Sequence, residues 1–230
     1  HYFYLALCVA IFIFLIAPII VVIPLSFNVE PYFTFTSKML TLNPEGYSLR
    51  WYDELLVYGM QAPGGVRDNA WWQDMWSNAA WVKAAKNSVI IGFWATIFAT
   101  TLGTVAALGL SRPEMPFRRA IMAVLISPMI VPIIIIATGM YFFYSSPCGL
   151  IGLVCGRLTS TYLGVILAHT TLGIPFVIIT VTATLSGFDQ SLIRASASLG
   201  ANPRTTFFKV IMPLILPGVI SGALFAFVTS

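Results

Sequence analysis

Charge is what this sequence lacks most. Asp, Glu, Lys and Arg together make up 9% of its 230 residues, against 58% hydrophobic ones. A soluble domain of this length carries about a quarter charged residues, so the composition excludes an ordinary water-soluble fold and predicts an integral membrane protein. Histidine and cysteine are scarce too: His1 and His169, and Cys8, Cys148 and Cys155. They form no cluster at metal-ligand spacing with carboxylates, and no nucleophile stands near a base, so neither a metal centre nor an enzyme is expected. There is no Gly-x-x-x-x-Gly-Lys run, and the chain is therefore not expected to bind a cofactor or to hydrolyse ATP itself. No basic stripe is interleaved with aromatics, which argues against a nucleic-acid partner. The long apolar runs contain no Asp, Glu, Lys or Arg at all. A proton-coupled carrier wants an acid inside the membrane, and a bound organic cation would find no carboxylate there either.

What is present is length of apolar chain. Residues 2–27, 87–111, 120–144, 161–185 and a last run from 210 to 230 are each long enough to span, since about 20 residues suffice. They predict an all-α, polytopic transmembrane bundle of about five spans. The first run is too long for the apolar part of a signal peptide and lacks a small-residue cleavage site. Its Pro18 and Pro24 bend it or mark its outer end. Pro128 and Pro132 predict a kink near the middle of the third span. Residues 28–86 form a polar interlude holding five of the six tryptophans. Within it, 49–58 and 69–83 have helical apolar spacing, and two readings stay open. They are amphipathic helices at the membrane interface, with Trp71, Trp72 and Trp76 anchoring there, or parts of a small packed extramembrane subdomain.

Residues 185–217 organise the rest. This stretch carries Asp189, Arg194, Arg204 and Lys209 between apolar runs, and it has the punctuation of two short helices. Asp189 can cap a helix start. Phe188 and Ile193 stand at the spacing of a hydrophobic staple. Gly200 falls where a helix ending at Leu199 needs a left-handed residue, and Asn202 with Pro203 supplies a fresh N-cap and first residue. The expectation is helix, tight glycine turn, helix.

Ala195, Ala197, Leu199, Gly200, Ala201, Phe207, Val210, Pro213 and Pro217 together resemble the "EAA" loop of binding-protein-dependent ABC importer permeases: Glu-Ala-Ala, two variable residues, Leu-Gly-Ala, an apolar stretch and two prolines. The sequence departs from that pattern at Arg194, where the family usually has Glu, and at Ser196, where it usually has Ala. The phrase Tyr-Ser-Leu-Arg-Trp-Tyr at 47–52 is similar to the outer loop of the spermidine/putrescine branch. The resemblance covers most of the chain from Tyr47 onward. It implies the type I importer permease fold, in one domain over 1–230, with a periplasmic loop at 28–86 and a cytoplasmic coupling loop at 186–212. It implies a multi-pass protein of the bacterial inner membrane that moves a polyamine or related solute inward by alternating access. The implied partners are an ABC ATPase homodimer that holds ATP and Mg, a second homologous permease, a periplasmic substrate-binding protein and membrane lipid. The loop would dock on the ATPase through Asp189, Arg194, Ala195, Ala197, Leu199, Gly200, Ala201, Asn202, Pro203, Phe207 and Pro213.

Orientation follows from basic residues in short loops. Arg112, Arg118, Arg119, Arg194, Arg204 and Lys209 fall on one side, and only Arg157 on the other. The first side is therefore cytoplasmic. Cys148 and Cys155 then lie in an outer loop that an oxidising periplasm would bridge as a disulfide, while Cys8 is expected as a buried free thiol. Five spans leave the C-terminus outside, whereas the resembling family closes with a sixth and keeps both ends inside, so a further span and trimmed ends are expected. Tyr141, His169 and Thr170 are candidates for the translocation path. For His169 a structural hydrogen bond to a neighbouring helix is the competing and favoured reading, and the threonine run 170–184 is read first as helix packing. Phe93, Trp94, Tyr141 and Phe142 offer aromatic faces to a cation. The competing class is a secondary carrier or channel with no ATPase, which would show intramembrane charge or discontinuous helices.

Overall fold

A computed structural model describes residues 2–112, 114–145, 158–189 and 191–230. All its regular elements among these residues are helical, with one isolated bridge between Asn28 and Tyr47. Among the described residues four helices are long and apolar enough to cross a membrane, and a bent pair makes a fifth if counted as one span. The chain divides into two compact units, His1–Lys86 and Asn87–Ser230. Cys148 and Cys155 lie outside the described residues.

In the first unit, α1 (Tyr2–Leu25) runs unbroken through Pro18 and buries only Leu25. At about 1.5 Å per residue its 24 residues are long enough to span. Cys8 is a free thiol, half-exposed rather than buried, because the described residues cover no face of the helix around it. Beyond α1 the buried amide of Asn28 gathers the chain. Its Nδ2 donates to the Tyr32 and Thr34 carbonyls at 3.0 and 2.8 Å, and the backbone carbonyl of Asn28 accepts from the Trp51 indole at 2.8 Å. The short α2 (Ser37–Leu40) and then α3 (Arg50–Val57) and α4 (Asn69–Asn78) follow. Asp68 caps α4, accepting from the Trp71 amide at 2.8 Å. Trp71 is buried against Met60 and Ala79, whereas Trp72 and Trp76 stay exposed. One tryptophan therefore builds a small core, as the packed-subdomain reading expects, and its neighbours face outward. Asp74 locks that core's edge by accepting from the Gln61 and Ala62 amides, each at 3.0 Å, and from Asn78 at 2.7 Å. Those bonds hold its carboxyl below the ordinary aspartate value, the Asn78 contact contributing most.

In the second unit the C-terminal part of α5 (Ala80–Leu110), α8 (Tyr162–Ser186) and α11 (Met212–Val228) pack at small residues. A Cβ on Gly222 would lie 2.5 Å from Thr180 Oγ1 and 2.8 Å from Val177 Cα, so α8 and α11 touch backbone to backbone there. Without a hydrophobic drive between helices in lipid, such close approach is what holds spans together. Ala99, Ala107, Val177, Val181, Ile215 and Ala226 form the shared core.

The expected kinked third span is instead two helices, α6 (Arg118–Ile130) and α7 (Ile133–Ser145), inclined at 103°. Pro128 sits inside α6 without breaking it. The break falls at Val131, which takes an extended conformation (φ −72°, ψ 135°) because a residue preceding proline is driven out of the helical region.

Candidate functional site

The segment after α8 bears out the local chemistry of its sequence. Asp189 Oδ1 accepts from the Ser191 amide at 2.8 Å and Oδ2 accepts from the Ser191 hydroxyl at 2.6 Å, which fixes the start of α9 (Ser191–Ser198). These bonds, the hydroxyl first and then the amide, hold the Asp189 carboxyl below the ordinary aspartate value, with the charge of Arg194 adding to them. At the other end Gly200 has φ +77°. Its amide donates to the Ala197 carbonyl at 3.0 Å, and the Ala201 amide donates to the Ser196 carbonyl at 3.1 Å. That pair of bonds is a Schellman motif, and it needs a left-handed residue at the turn. Asn202 then accepts from the Thr205 amide at 2.8 Å, with Pro203 as first residue of α10 (Pro203–Thr206).

One feature departs from the helix-turn-helix expectation. The second helix is not short. α10 continues through a π-helical segment, Phe207–Ile211, directly into α11, so that Pro203–Val228 is a single helix of 26 residues. The helix that carries the last apolar run therefore begins at Pro203, seven residues before that run. The π segment has a chemical cause: Pro213 has no N–H to donate, and in a regular helix its ring would strike the carbonyl four residues back. Widening by one residue, with the Met212 amide bonded to the Phe207 carbonyl, relieves that crowding.

Asp189, Arg194, Ala195, Ala197, Leu199, Gly200, Asn202, Pro203 and Pro213 are all exposed, and Ala201 and Phe207 are half-buried. Leu199 is 88% exposed, a large apolar side chain standing free at the turn. The two helices face each other through residues that sequence reasoning passed over. Ser196 and Thr206 are the only buried residues of α9 and α10, and their hydroxyl oxygens lie 2.9 Å apart. The departure of Ser196 from the family's alanine was the available signal.

Among the described residues no hydrogen bond joins the three path candidates. Tyr141 is exposed, its ring beside that of Phe142. The Thr170 hydroxyl is buried and donates within its own helix, to the Ile166 carbonyl at 2.7 Å. His169 Nδ1 is buried with no hydrogen-bond partner among the described residues, so the expected bond to a neighbouring helix is not made through that atom to any of them. Thr96, Thr100 and Thr104 repeat at four-residue spacing along α5, and their buried hydroxyls likewise have no hydrogen-bond partner among the described residues. Phe93, Trp94, Tyr141 and Phe142 are exposed in the chain by itself.

Residues 99–230, more than half of the chain, match the family described as binding-protein-dependent transport system inner membrane component. The chain belongs to that family: it is a permease of the ABC importer type, a multi-pass protein of the bacterial inner membrane. Among individual relatives, it is 29% identical to the spermidine/putrescine transport system permease protein PotC of Haemophilus influenzae, over 96% of this chain and 71% of the relative. It is 30% identical to the putrescine transport system permease protein PotI of Escherichia coli, over 95% of this chain and 67% of the relative. It is 31% identical to a probable molybdenum ABC transporter permease of Haloferax volcanii, over 84% and 70%.

Proposed function

We propose that this chain is one of two permease subunits of an ATP-driven importer for a polyamine or a closely related small organic cation. Segment 186–212 couples it to a separate ATPase. The chain binds no cofactor of its own; ATP and Mg sit on the ATPase dimer, and a periplasmic binding protein delivers the solute. The observation that carries this reading is mechanical. A turn with Gly200 at φ +77° places an exposed helix, α9, at the end of an unbroken helix that runs from Pro203 to Val228. A push on α9 therefore reaches the span without crossing a flexible joint in that helix. Closure of the ATPase would tilt α11, and α8 with it through the contact at Gly222. Such a switch requires the loop to make different contacts in the two states of the transporter.

The solute class rests on the names of two relatives, while a third is named for molybdenum. Proteoliposomes holding the purified complex separate these outcomes. With binding protein outside and ATP inside, labelled spermidine or putrescine is expected to accumulate and labelled molybdate is not. Uptake of molybdate alone would overturn the solute class. Uptake that needs no ATP would place the chain with secondary carriers instead.

A further inference from the structure

We infer that Ser196 and Thr206 are positioning residues, a buried hydroxyl strut that fixes the angle between the docking helix α9 and the helix leading into the membrane. The inference rests on the coupling role proposed above. Among the described residues nothing packs against Gly200: it is exposed, and a Cβ placed there would meet no atom within 4 Å. The Schellman bonds fix the backbone at the end of α9, and the Asn202 cap fixes the start of α10. Neither ties one helix to the other away from the turn. Each helix buries a single residue, and the two buried residues are this pair.

The donors can be assigned. Ser196 Oγ donates its one proton to the Ile193 carbonyl at 2.8 Å. Thr206 therefore donates across the 2.9 Å gap to Ser196 Oγ. The chain of bonds runs from α10 through both hydroxyls into the backbone of α9. Bonds linked in this way polarise one another and are directional, which an alanine at 196 could not supply. Thr206 also stands immediately before the widened segment Phe207–Ile211. The strut thus grips the long helix at the base of its one irregular turn. With it, rotation of α9 is passed to α11. Without it, the motion is absorbed at Gly200.

A double-mutant cycle in the full reconstituted complex tests this. Solute uptake per ATP hydrolysed is measured for the wild type, Ser196→Ala, Thr206→Val, the double variant and Thr206→Ser, alongside complex assembly and thermal stability. Each single variant is expected to lower uptake per ATP by about two- to tenfold, the range set by one hydrogen bond. Assembly and ATP hydrolysis should persist. The double variant is expected to fall no further than either single, since residues acting as a unit are non-additive, and Thr206→Ser, which keeps the hydroxyl, is expected to retain coupling. Unchanged uptake per ATP in the single variants, losses that add in the double, or failure of Thr206→Ser to retain coupling would each overturn the strut. A wild-type complex with no ATP-driven uptake would overturn the coupling role itself, and the strut with it.

Discussion

At Gly200 the backbone runs at φ +77°, where a side chain costs about 1–2 kcal/mol through crowding with its own carbonyl. Space is not the obstacle, since the position is open. Gly200→Val is therefore expected to lower the melting temperature of the complex by no more than a few degrees while abolishing stimulation of ATP hydrolysis by binding protein. Normal stimulation would show that the turn angle is not transmitted. Asp189 supplies a second residue-scale test. Its carboxyl is held below the ordinary aspartate value by Ser191 and, less strongly, by Arg194. The stabilisation of the α9 start is thus present above the ordinary value and is lost only as pH falls through the depressed one. A site-specific carboxyl titration is expected to give a midpoint below that of a free aspartate, moving upward in Arg194→Glu; a midpoint at or above the free value would contradict the cap. Arg194→Glu is also expected to weaken stimulated ATP hydrolysis, because a positive residue in the family's usual glutamate position implies an acidic or carbonyl-rich surface opposite it. These residues were legible in the sequence because caps and glycine turns are local chemistry: the side chain and the amide it serves lie within three residues. The Ser196–Thr206 pair was not legible, since its partners meet only after the chain has turned.

Among the elements, α8 and α11 meet closely where Gly222 lies against Thr180 and Val177. Gly222→Leu would drive a side chain into Thr180 Oγ1 and the Val177 backbone. Overpacking of this kind typically costs about 1–3 kcal/mol, so the variant is expected to melt several degrees lower in detergent; an unchanged melting temperature would mean that this helix crossing is not formed. The element boundaries show where sequence reasoning stopped short. The spans at 87–111 and 161–185 were readable from uninterrupted apolar length. The prolines at 128 and 132 were visible too, but periodicity does not say which of them breaks the helix or by how much. Val131 yielded and Pro128 did not. Likewise Pro213 was recognised as part of a motif, while the π segment that accommodates it was invisible, because a one-residue widening leaves the apolar pattern intact. The Trp71 and Trp72 pair makes the same point: adjacent tryptophans have the same composition signal, and only packing decides that the first is buried and the second exposed.

For the molecule as a whole, scarcity of charge made the membrane class plain before any element was assigned; of the two compact units, the first joins the leading apolar helix to the polar interlude and the second holds the remaining apolar helices. In the function proposed, the step that joins the permease to ATP is docking of the exposed end of α9 on an ATP-hydrolysing partner. Leu199 is the direct probe of it, being the most exposed large apolar side chain of the turn. A photoreactive amino acid placed at 199, in cells expressing the whole transporter, is expected to give a single ultraviolet-dependent adduct. Its partner peptide, read by mass spectrometry, should come from a protein carrying a Gly-x-x-x-x-Gly-Lys phosphate loop. An adduct with lipid or with another part of this chain, in a complex that still takes up solute, would contradict the account.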